Sequence, residues 1–378
     1  MIYLDNSATT KIDPEVVESM LPFLDVEYGN PSSKYYALAE TAKKSIEDSR
    51  NKVAMLINSR SDEIIFTSGA SESNNFIIKG ISDYLFHEKK AGNHIITTKT
   101  EHKSVMETCK WLEKRGYKIT YLDVNKFGQV NYDDLEASLT NETILVSIIW
   151  GNNEIGTLND ISSLSTLCKD RNILFHSDAT QVLGKINIDV QSIPVDFLSF
   201  SAHKIHGPKG IGGCFIRKTK IGTKQKITPL IHGGSQEFEY RAGTYPVHNI
   251  VGFGKAAEIA KRDMGKNQLT ISDIEKVLIQ QIKTINTSII INGHSSHKIP
   301  GLVSVTIPGI NNELLIRKLR DSVAISTGSA CSLNEPSYVL KSIGFTETDI
   351  CATVRISISK YNTLGDIQSF INLIKSFV

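Results

Sequence analysis

A lysine ends an apolar, strand-like run in the segment SFSAHKIHGPKG, residues 199–210. Lys204 in this position has three common chemical roles: a solvated charge, a phosphate contact, or an amine that forms a Schiff base with a carbonyl compound. The residues next to Lys204 do not show which of the three roles it has. The residues at the ends of the other strand-like runs give the further evidence.

Two other runs end in residues with complementary chemistry. ILFHSDAT ends with Asp178, and Gln181 follows three residues later. EIIFT is followed by SGASESNN, a small-residue turn into a helix with Ser68, Gly69, Ala70 and Ser71 at the helix start, where free N–H groups and the helix dipole favour phosphate. Each feature alone also fits a simple helix cap.

Taken together, these residues match the needs of pyridoxal phosphate. This cofactor requires a lysine for its aldehyde, an acid for its pyridine nitrogen, donors for its phosphate and a planar group against its ring. The sequence offers each of these near the end of a different strand-like run. The predicted set comprises Lys204, Asp178, His102 as the planar group, and Ala70, Ser71, Ser201 and His203 as phosphate ligands.

Metal and disulfide chemistry are not predicted. His203 and His206 form an H-x-x-H pair, but Gly207 and Pro208 follow at once and break the helix on which such a pair is usually built. The 5 cysteines are scattered and odd in number, with no C-x-x-C. This distribution argues against a disulfide framework and a four-cysteine zinc site.

The C-terminal part of the sequence offers groups for a substrate. Cys331 lies in a loop rich in glycine and serine, where a thiol is accessible for nucleophilic attack, unlike Cys214 in the apolar run GGCFIRK. Arg355 lies among apolar residues in ATVRISIS, and a buried guanidinium needs a carboxylate. An amino-acid substrate would bring one, although a structural ion pair would serve equally well.

Strand-length and helix-length segments alternate from about residue 61 to residue 218, which is typical of βαβ units and a mainly parallel sheet. Polar ligands bind such sheets at the carboxyl ends of the strands. We predict a large α/β domain over residues 14–262, and a smaller α+β domain formed by residues 1–13 and 263–378 that carries the Cys331 loop.

Composition and charge indicate which partners and which cellular location to expect. The 378 residues carry a formal net charge of +2 with acids and bases interspersed, so nucleic acid is not an expected partner. MIYLDNSATT lacks the features of a signal or transit peptide, and the apolar runs are too short to span a membrane. We expect a cytoplasmic protein without a membrane segment.

The motifs also resemble a known family in order and spacing. The sequence is similar to the cysteine desulfurases, pyridoxal-phosphate enzymes of the aminotransferase class V group that mobilise sulfur. The matching stretches run almost from end to end: YLDNSATT, GNPSS, SGASESNN, EHKSV, NNEIGT, HSDATQ, SAHKIHGPKG, GGSQEFEYRAGT, STGSAC, EPSYVL and VRIS.

The resemblance implies a fold of pyridoxal-phosphate fold type I, with a mainly parallel seven-stranded sheet in the large domain. It implies that Lys204 binds the cofactor, that Asp178 pairs with the ring nitrogen, and that Gln181 pairs with the ring hydroxyl. His102 would stack on the ring and move protons. Thr244 would reach the phosphate of a second subunit, which implies a homodimer.

For the reaction, the resemblance implies that Asn153 and Arg355 bind the carboxylate of L-cysteine. Cys331 would accept the sulfur as a persulfide, leave L-alanine, and pass the sulfur to an acceptor protein such as a cluster scaffold or a tRNA-thiolation enzyme. Compared with the cluster-assembly type, only three residues separate Cys331 from Glu335, and the chain ends directly after its last predicted helix. Iron–sulfur cluster assembly is therefore not the main expected role.

Three alternatives stay open from the sequence. A selenocysteine lyase or another class V aminotransferase would use the same cofactor residues, and a transaminase would not need Cys331. A partner protein that has lost the cofactor would keep the fold, but the presence of both Lys204 and Asp178 argues against it.

Overall fold

The computed structural model describes residues 1–219, 221–328, 336–375 and 377. Cys331, the predicted sulfur acceptor, lies outside these residues. Twelve strands are present in the described part of the chain. They are β1 (Ile2–Tyr3), β2 (Ile64–Thr67), β3 (His94–Thr98), β4 (Lys118–Leu122), β5 (Thr143–Ser147), β6 (Leu174–Asp178), β7 (Phe197–Ser201), β8 (Gly212–Ile216), β9 (Ile290–Asn292), β10 (Leu302–Thr306), β11 (Val323–Ala324) and β12 (Thr353–Ser357).

Helices cover both faces of the main sheet. The described α-helices are α1 (Pro14–Met20), α2 (Pro22–Asp25), α3 (Ala37–Leu56), α4 (Ala70–Asp83), α5 (Lys103–Glu113), α6 (Tyr132–Ser138), α7 (Ile161–Asp170), α8 (Val247–Ile285), α9 (Asn312–Leu319), α10 (Tyr338–Ser342), α11 (Glu347–Cys351) and α12 (Leu364–Lys375). Within the described residues, no helix is long and apolar enough to cross a membrane.

The main sheet has seven strands in the order β2-β8-β7-β6-β5-β3-β4. The five strands from β7 to β4 are parallel, whereas β8 runs antiparallel to both β7 and β2. The predicted α/β fold with a mainly parallel seven-stranded sheet is confirmed. Because β2 is antiparallel to β8, it points in the same direction as β7, and the carboxyl ends of six strands share one edge.

Most strands of this sheet are buried on both faces, as expected when helices cover a parallel sheet, whereas the edge strand β4 is partly exposed. All residues of β2, β3, β5, β7 and β8 are buried. One apolar core lies between the sheet and α3 and α8, and a second lies on the side of α4 and α5. The sheet is therefore a rigid support for side chains at its edge.

A second, smaller layer follows in the chain. β9, β10 and β12 form an antiparallel sheet in the order β12-β10-β9, and β1 pairs in parallel with β11. A separate apolar core joins this sheet to α9, α12 and Leu4. The 39-residue helix α8 passes without interruption through residues 262 and 263. The division into domains at that point stays a prediction.

Candidate active site

A cleft of about 550 Å³ lies at the carboxyl edge of the main sheet. Its walls come from the N-terminal segment, from the turns after β2, β3, β5, β6 and β7, and from β12. Ten of the residues predicted from the sequence line it: Ala70, Ser71, His102, Asn153, Asp178, Gln181, Ser201, His203, Lys204 and Arg355. The fold therefore brings them together, while their individual roles stay predictions.

Two predicted residues are not in this group. Thr244 is exposed in the loop between β8 and α8 and, within the described part of the chain, is not among the residues that line the cleft. Its predicted role towards a second subunit stays a prediction. Cys331 falls outside the described residues, between Gly328, which lines the cleft, and Ser337 at the start of α10.

Lys204 follows β7 in a short 3-10 turn, Ala202–Lys204. Its Nζ donates to the carbonyl oxygens of Ser7 at 2.5 Å and Ala8 at 2.8 Å. The same N-terminal segment is fixed to the turn because Thr10 N donates to the His203 carbonyl at 3.0 Å. Sequence reasoning did not find these two carbonyls, since they lie almost 200 residues away in the chain.

Asp178 is the last residue of β6 and is only 4% exposed. One carboxylate oxygen accepts from Thr180 N at 3.0 Å, and the other accepts from the side-chain amide of Asn74 at 2.8 Å. Asn74 lies on α4, is fully buried, and also donates to the Ser104 hydroxyl at 2.9 Å. These contacts fix the direction in which the carboxylate faces the cleft.

His102 is the N-cap residue of α5. Its Nδ1 accepts from Ser104 N at 3.2 Å and lies 2.8 Å from the Ser104 hydroxyl. These contacts assign the proton of the neutral ring to Nε2. Asn74, Ser104 and His102 thus form a line of hydrogen bonds that begins at Asp178. Sequence reasoning missed Asn74 and Ser104, although both lie inside the SGASESNN and EHKSV motifs.

The turn before α4 has the shape of an anion cradle. Gly69 has a φ of +154°, and Ala70 N lies 3.4 Å from the Ser201 hydroxyl on the neighbouring strand. A Cβ at Gly212 on β8 would lie 2.7 Å from Gly69 Cα, so only glycine allows this close approach. The two glycines therefore place the helix terminus and the Ser201 hydroxyl side by side.

His203 also lines the cleft, with its Nδ1 3.1 Å from the Thr9 hydroxyl. Burial, followed by the charges of nearby lysines, lowers the pKa of His203 to about 4. The ring is therefore neutral at physiological pH and offers a hydrogen bond rather than a positive charge. His206, the other member of the H-x-x-H pair, instead contacts the Lys11 carbonyl through Nδ1 at 2.9 Å.

Arg355 lies on β12 and is 2% exposed. One terminal nitrogen pairs with the Asp5 carboxylate at 2.8 Å, and the other donates to the carbonyls of Asn153 at 2.8 Å and Gly328 at 3.1 Å. The structural ion pair that the sequence left open is therefore present. Arg355 Nε, however, is buried and has no hydrogen-bond partner among the described residues. This orphan donor leaves capacity for a further anion.

Gln181 is 4% exposed and is held at both ends. Its amide nitrogen donates to the Ser7 carbonyl at 2.9 Å, and its oxygen accepts from Lys185 Nζ at 3.2 Å. Burial, followed by the charge of Lys204, lowers the pKa of Lys185 to about 7. The orientation of the Gln181 amide is thus set by the protein.

Of the four cysteines that the structure describes, Cys109, Cys168 and Cys214 are buried and Cys351 is exposed. Burial raises the pKa of all three buried thiols, that of Cys168 to about 12. A thiol needs its thiolate form to attack, so these three residues are unsuited to nucleophilic work. The interpretation of Cys214 as an inert core residue agrees with its complete burial.

A buried carboxyl group, Glu101, precedes His102. One oxygen accepts from Ile149 N at 2.8 Å and the Thr98 hydroxyl at 3.0 Å, while the other has no partner in the described part of the chain. Burial raises the pKa of Glu101 from its ordinary value of 4.5 to about 8. The folded state therefore keeps this proton over a pH range in which the unfolded chain has lost it.

Replacing Glu101 by glutamine is expected to remove a pH-dependent part of the stability. As the pH rises from 4.5 to about 8, the wild-type free energy of unfolding should fall relative to that of Glu101→Gln, by at most ~1.4 kcal/mol per pH unit. Urea unfolding of both proteins at several pH values measures the difference. A difference that stays constant over this range would mean that Glu101 is ionised in the fold.

Known proteins resemble this chain over almost its entire length. The aminotransferase class V family model matches residues 2–370. This chain belongs to that family. A class V relative from Buchnera aphidicola subsp. Acyrthosiphon pisum (strain APS), the cysteine desulfurase IscS, is 42% identical over 377 residues, which are 99% of this chain and 91% of the relative.

Solved structures of related proteins have the same architecture. A NifS-like protein superposes with a TM-score of 0.92 at 35% identity, over 100% of this chain and 98% of its own. The structure described as SspA in complex with cysteine gives a TM-score of 0.83 at 34% identity, over 96% of this chain and 100% of its own. Class V enzymes of this type depend on pyridoxal phosphate, and the residues at the cleft fit that cofactor.

Proposed function

We propose that this protein is a pyridoxal-phosphate-dependent cysteine desulfurase that converts L-cysteine to L-alanine and places the sulfur on Cys331. The names of its full-length relatives support the activity. One structural observation carries the proposal: Asp178, the acid that the cofactor needs, ends β6, Lys204, the amine, lies in the turn directly after the adjacent strand β7, and both line the same cleft.

The cleft residues divide naturally among the parts of the cofactor. Lys204 would hold the aldehyde carbon, and Asp178 would pair with the ring nitrogen. His102 would cover the ring, and Gln181 would contact the ring hydroxyl. The anion cradle before α4 would hold the phosphate, with Ala70, Ser71, Ser201 and His203 as donors and with Thr244 of a second subunit. A homodimer with sites at the subunit interface follows from this last contact.

Bound pyridoxal phosphate supplies an electron sink that stabilises negative charge at the Cα of an attached amino acid. The protein supplies the proton transfers. Lys204 would be the base at Cα, because its Nζ lies in the cleft just after the carboxyl end of β7, where the Ser7 and Ala8 carbonyl oxygens orient it. His102 moves a second proton through Nε2, since Nδ1 is occupied by Ser104.

Residues on β12 and in the turn after β5 bind the substrate. The free Nε of Arg355 and the side chain of Asn153 bind the carboxylate of L-cysteine, while Asp5 keeps the guanidinium oriented. Glu154, next in the chain, is buried and accepts from the Ser337 hydroxyl. Burial raises the pKa of Glu154, which limits the negative charge opposite the substrate carboxylate.

The transfer of sulfur to Cys331 requires no reactant besides L-cysteine and the Cys331 thiol. The thiolate of Cys331 attacks the sulfur of the substrate, an S–S bond forms, and the Cβ–S bond of the substrate breaks. The electron pair of the broken bond stays with the carbon skeleton, which takes up protons to become L-alanine. L-Cysteine and the Cys331 thiol thus yield L-alanine and the Cys331 persulfide.

We propose further that the protein works in the cytoplasm and passes the persulfide sulfur to an acceptor protein. The acceptor classes expected from the sequence are a tRNA-thiolation enzyme and a cluster scaffold. A selenocysteine lyase or a transaminase would use the same cofactor residues, so the choice between these activities depends on the substrate and on Cys331.

The decisive experiment follows sulfur and carbon together. The purified protein is incubated with L-cysteine, alanine is measured, and the peptide that contains Cys331 is examined by mass spectrometry for the added sulfur. We expect alanine and one extra sulfur on Cys331, and we expect Cys331→Ala to lose both without losing the ~420 nm absorbance of the bound cofactor. Alanine formation that survives Cys331→Ala, or pyruvate formation from alanine, would contradict the proposal.

A further inference from the structure

A strained turn lies in the loop that carries Thr244. Glu237, Phe238 and Glu239 have φ values of 45°, 56° and 71°, and none of them is glycine. Left-handed backbone is unfavourable for each L-residue, and three in succession require compensating contacts. The contacts that stabilise this turn indicate its role in the structure.

A buried ion pair supplies those contacts. Glu237 is 2% exposed and Arg50 on α3 is 1% exposed, and they form two parallel hydrogen bonds of 2.8 Å each. Phe66 N on β2 donates to the same carboxylate at 2.7 Å. The guanidinium also donates to the Ile64 carbonyl at 2.8 Å and lies 5.1 Å from the Phe238 ring. The turn is thereby fixed to β2.

The rest of the loop is fixed on both sides of Thr244, by Arg241 to the anion cradle and by Tyr245 to the strained turn. Arg241 pairs with Glu72 on α4 at 2.9 Å, and Glu72 also accepts from Ser68 N at 2.8 Å. The Tyr245 hydroxyl accepts from Glu237 N at 2.9 Å. Glu237 is thus bonded both to β2 and to Tyr245, the residue next to Thr244.

Stability alone does not account for this arrangement. A buried ion pair contributes little net stability compared with a well-packed apolar pair, because both charges lose their hydration. Here the pair holds a turn that is itself unfavourable. Strain of this kind is typical of segments whose position matters for function.

We propose that the Glu237–Arg50 ion pair is a positioning device that holds Thr244 where it reaches the cofactor phosphate of a second subunit. This inference rests on the homodimer of the proposed function. Its effect is specific in direction: a change at Glu237 in one chain weakens cofactor binding in the site of the other chain, and leaves the site of its own chain intact.

Mixed dimers test this direction. One chain keeps Lys204 and the other carries Lys204→Ala, so that the ~420 nm absorbance reports cofactor bound to the first chain only. Two differently tagged chains are purified in tandem, and cofactor affinity is measured by titration with pyridoxal phosphate. Glu237→Gln is placed either on the Lys204→Ala chain or on the chain that keeps Lys204.

We expect Glu237→Gln on the Lys204→Ala chain to weaken cofactor binding about tenfold, if Thr244 then occupies its binding position about one tenth of the time. The same substitution on the chain with Lys204 should change the affinity by less than about twofold. Thr244→Ala on the Lys204→Ala chain should weaken binding at least as much. Glu237→Asp, which keeps the charge, should cause a smaller loss in the same arrangement.

The matched control is Glu275→Gln, which removes another buried ion pair, between Glu275 on α8 and Lys298, away from this loop. It should leave cofactor affinity unchanged in both arrangements. Equal losses in both arrangements of Glu237→Gln would show a role in the fold of its own chain and overturn the inference, as would no loss in either. Chains that do not purify together would remove the dimer and with it the inference, while alanine formation would still test the activity separately.

Discussion

Replacing Lys204 by alanine is expected to lower the rate of alanine formation from L-cysteine by about four orders of magnitude. The substitution removes both the amine that binds the cofactor and the base that acts at Cα, and the two losses combine. The measurement is alanine production with saturating pyridoxal phosphate, together with trapping by borohydride. In the wild-type protein, borohydride should label the peptide that contains Lys204.

The matched control is Lys52→Ala. Lys52 lies on α3 and pairs at the surface with Glu258, at 2.9 Å. Its removal should change the rate by no more than about twofold, because exposed ion pairs contribute little. Labelling of another lysine, or a Lys204→Ala protein that remains active, would disprove the assignment of Lys204.

Replacing Asp178 by asparagine is expected to lower the same rate by about three orders of magnitude while leaving the cofactor bound. Asparagine preserves the size of the side chain but removes the charge that holds a proton on the ring nitrogen. Because Lys204 and the anion cradle are unchanged, the ~420 nm absorbance of the bound cofactor should persist. The effect should therefore appear in kcat rather than in cofactor retention.

Asp196→Asn is the control for this substitution. Asp196 lies just before β7, at the opposite edge of the same sheet, and accepts from Phe175 N at 2.8 Å. Its replacement tests whether any polar change at the ends of these strands impairs activity. We expect a change in stability but a rate within about threefold of wild type. A wild-type rate in Asp178→Asn would refute the role of Asp178.

The line of hydrogen bonds behind Asp178 explains why its charge is effective. The Asn74 side-chain amide donates to the Asp178 carboxylate and to the Ser104 hydroxyl. Ser104 in turn contacts His102 Nδ1, which leaves the ring proton on Nε2. One buried amide thus orients two cleft residues, one at the end of β6 and one at the start of α5. Such support keeps reactive groups in place without motion during the reaction.

The sequence by itself determined the strands and the edge at which the chemistry lies. The strand-length segments predicted between about residue 61 and residue 218 form strands of the main sheet, since short β-branched runs between amphipathic segments are a strong local signal. The residues predicted for the cofactor line one cleft because the carboxyl ends of parallel strands meet at one edge. Both inferences need only local pattern and a general rule of topology.

Only the tertiary structure decided the direction of β8 and the partners of the cleft residues. β8 is antiparallel because the loop of residues 202–211, rather than a crossover helix, connects it to β7. Arg355 meets Asp5, 350 positions away in the chain, and Glu237 meets Arg50, 187 positions away. No local pattern encodes such pairs, because they depend on which surfaces the packed elements bring together.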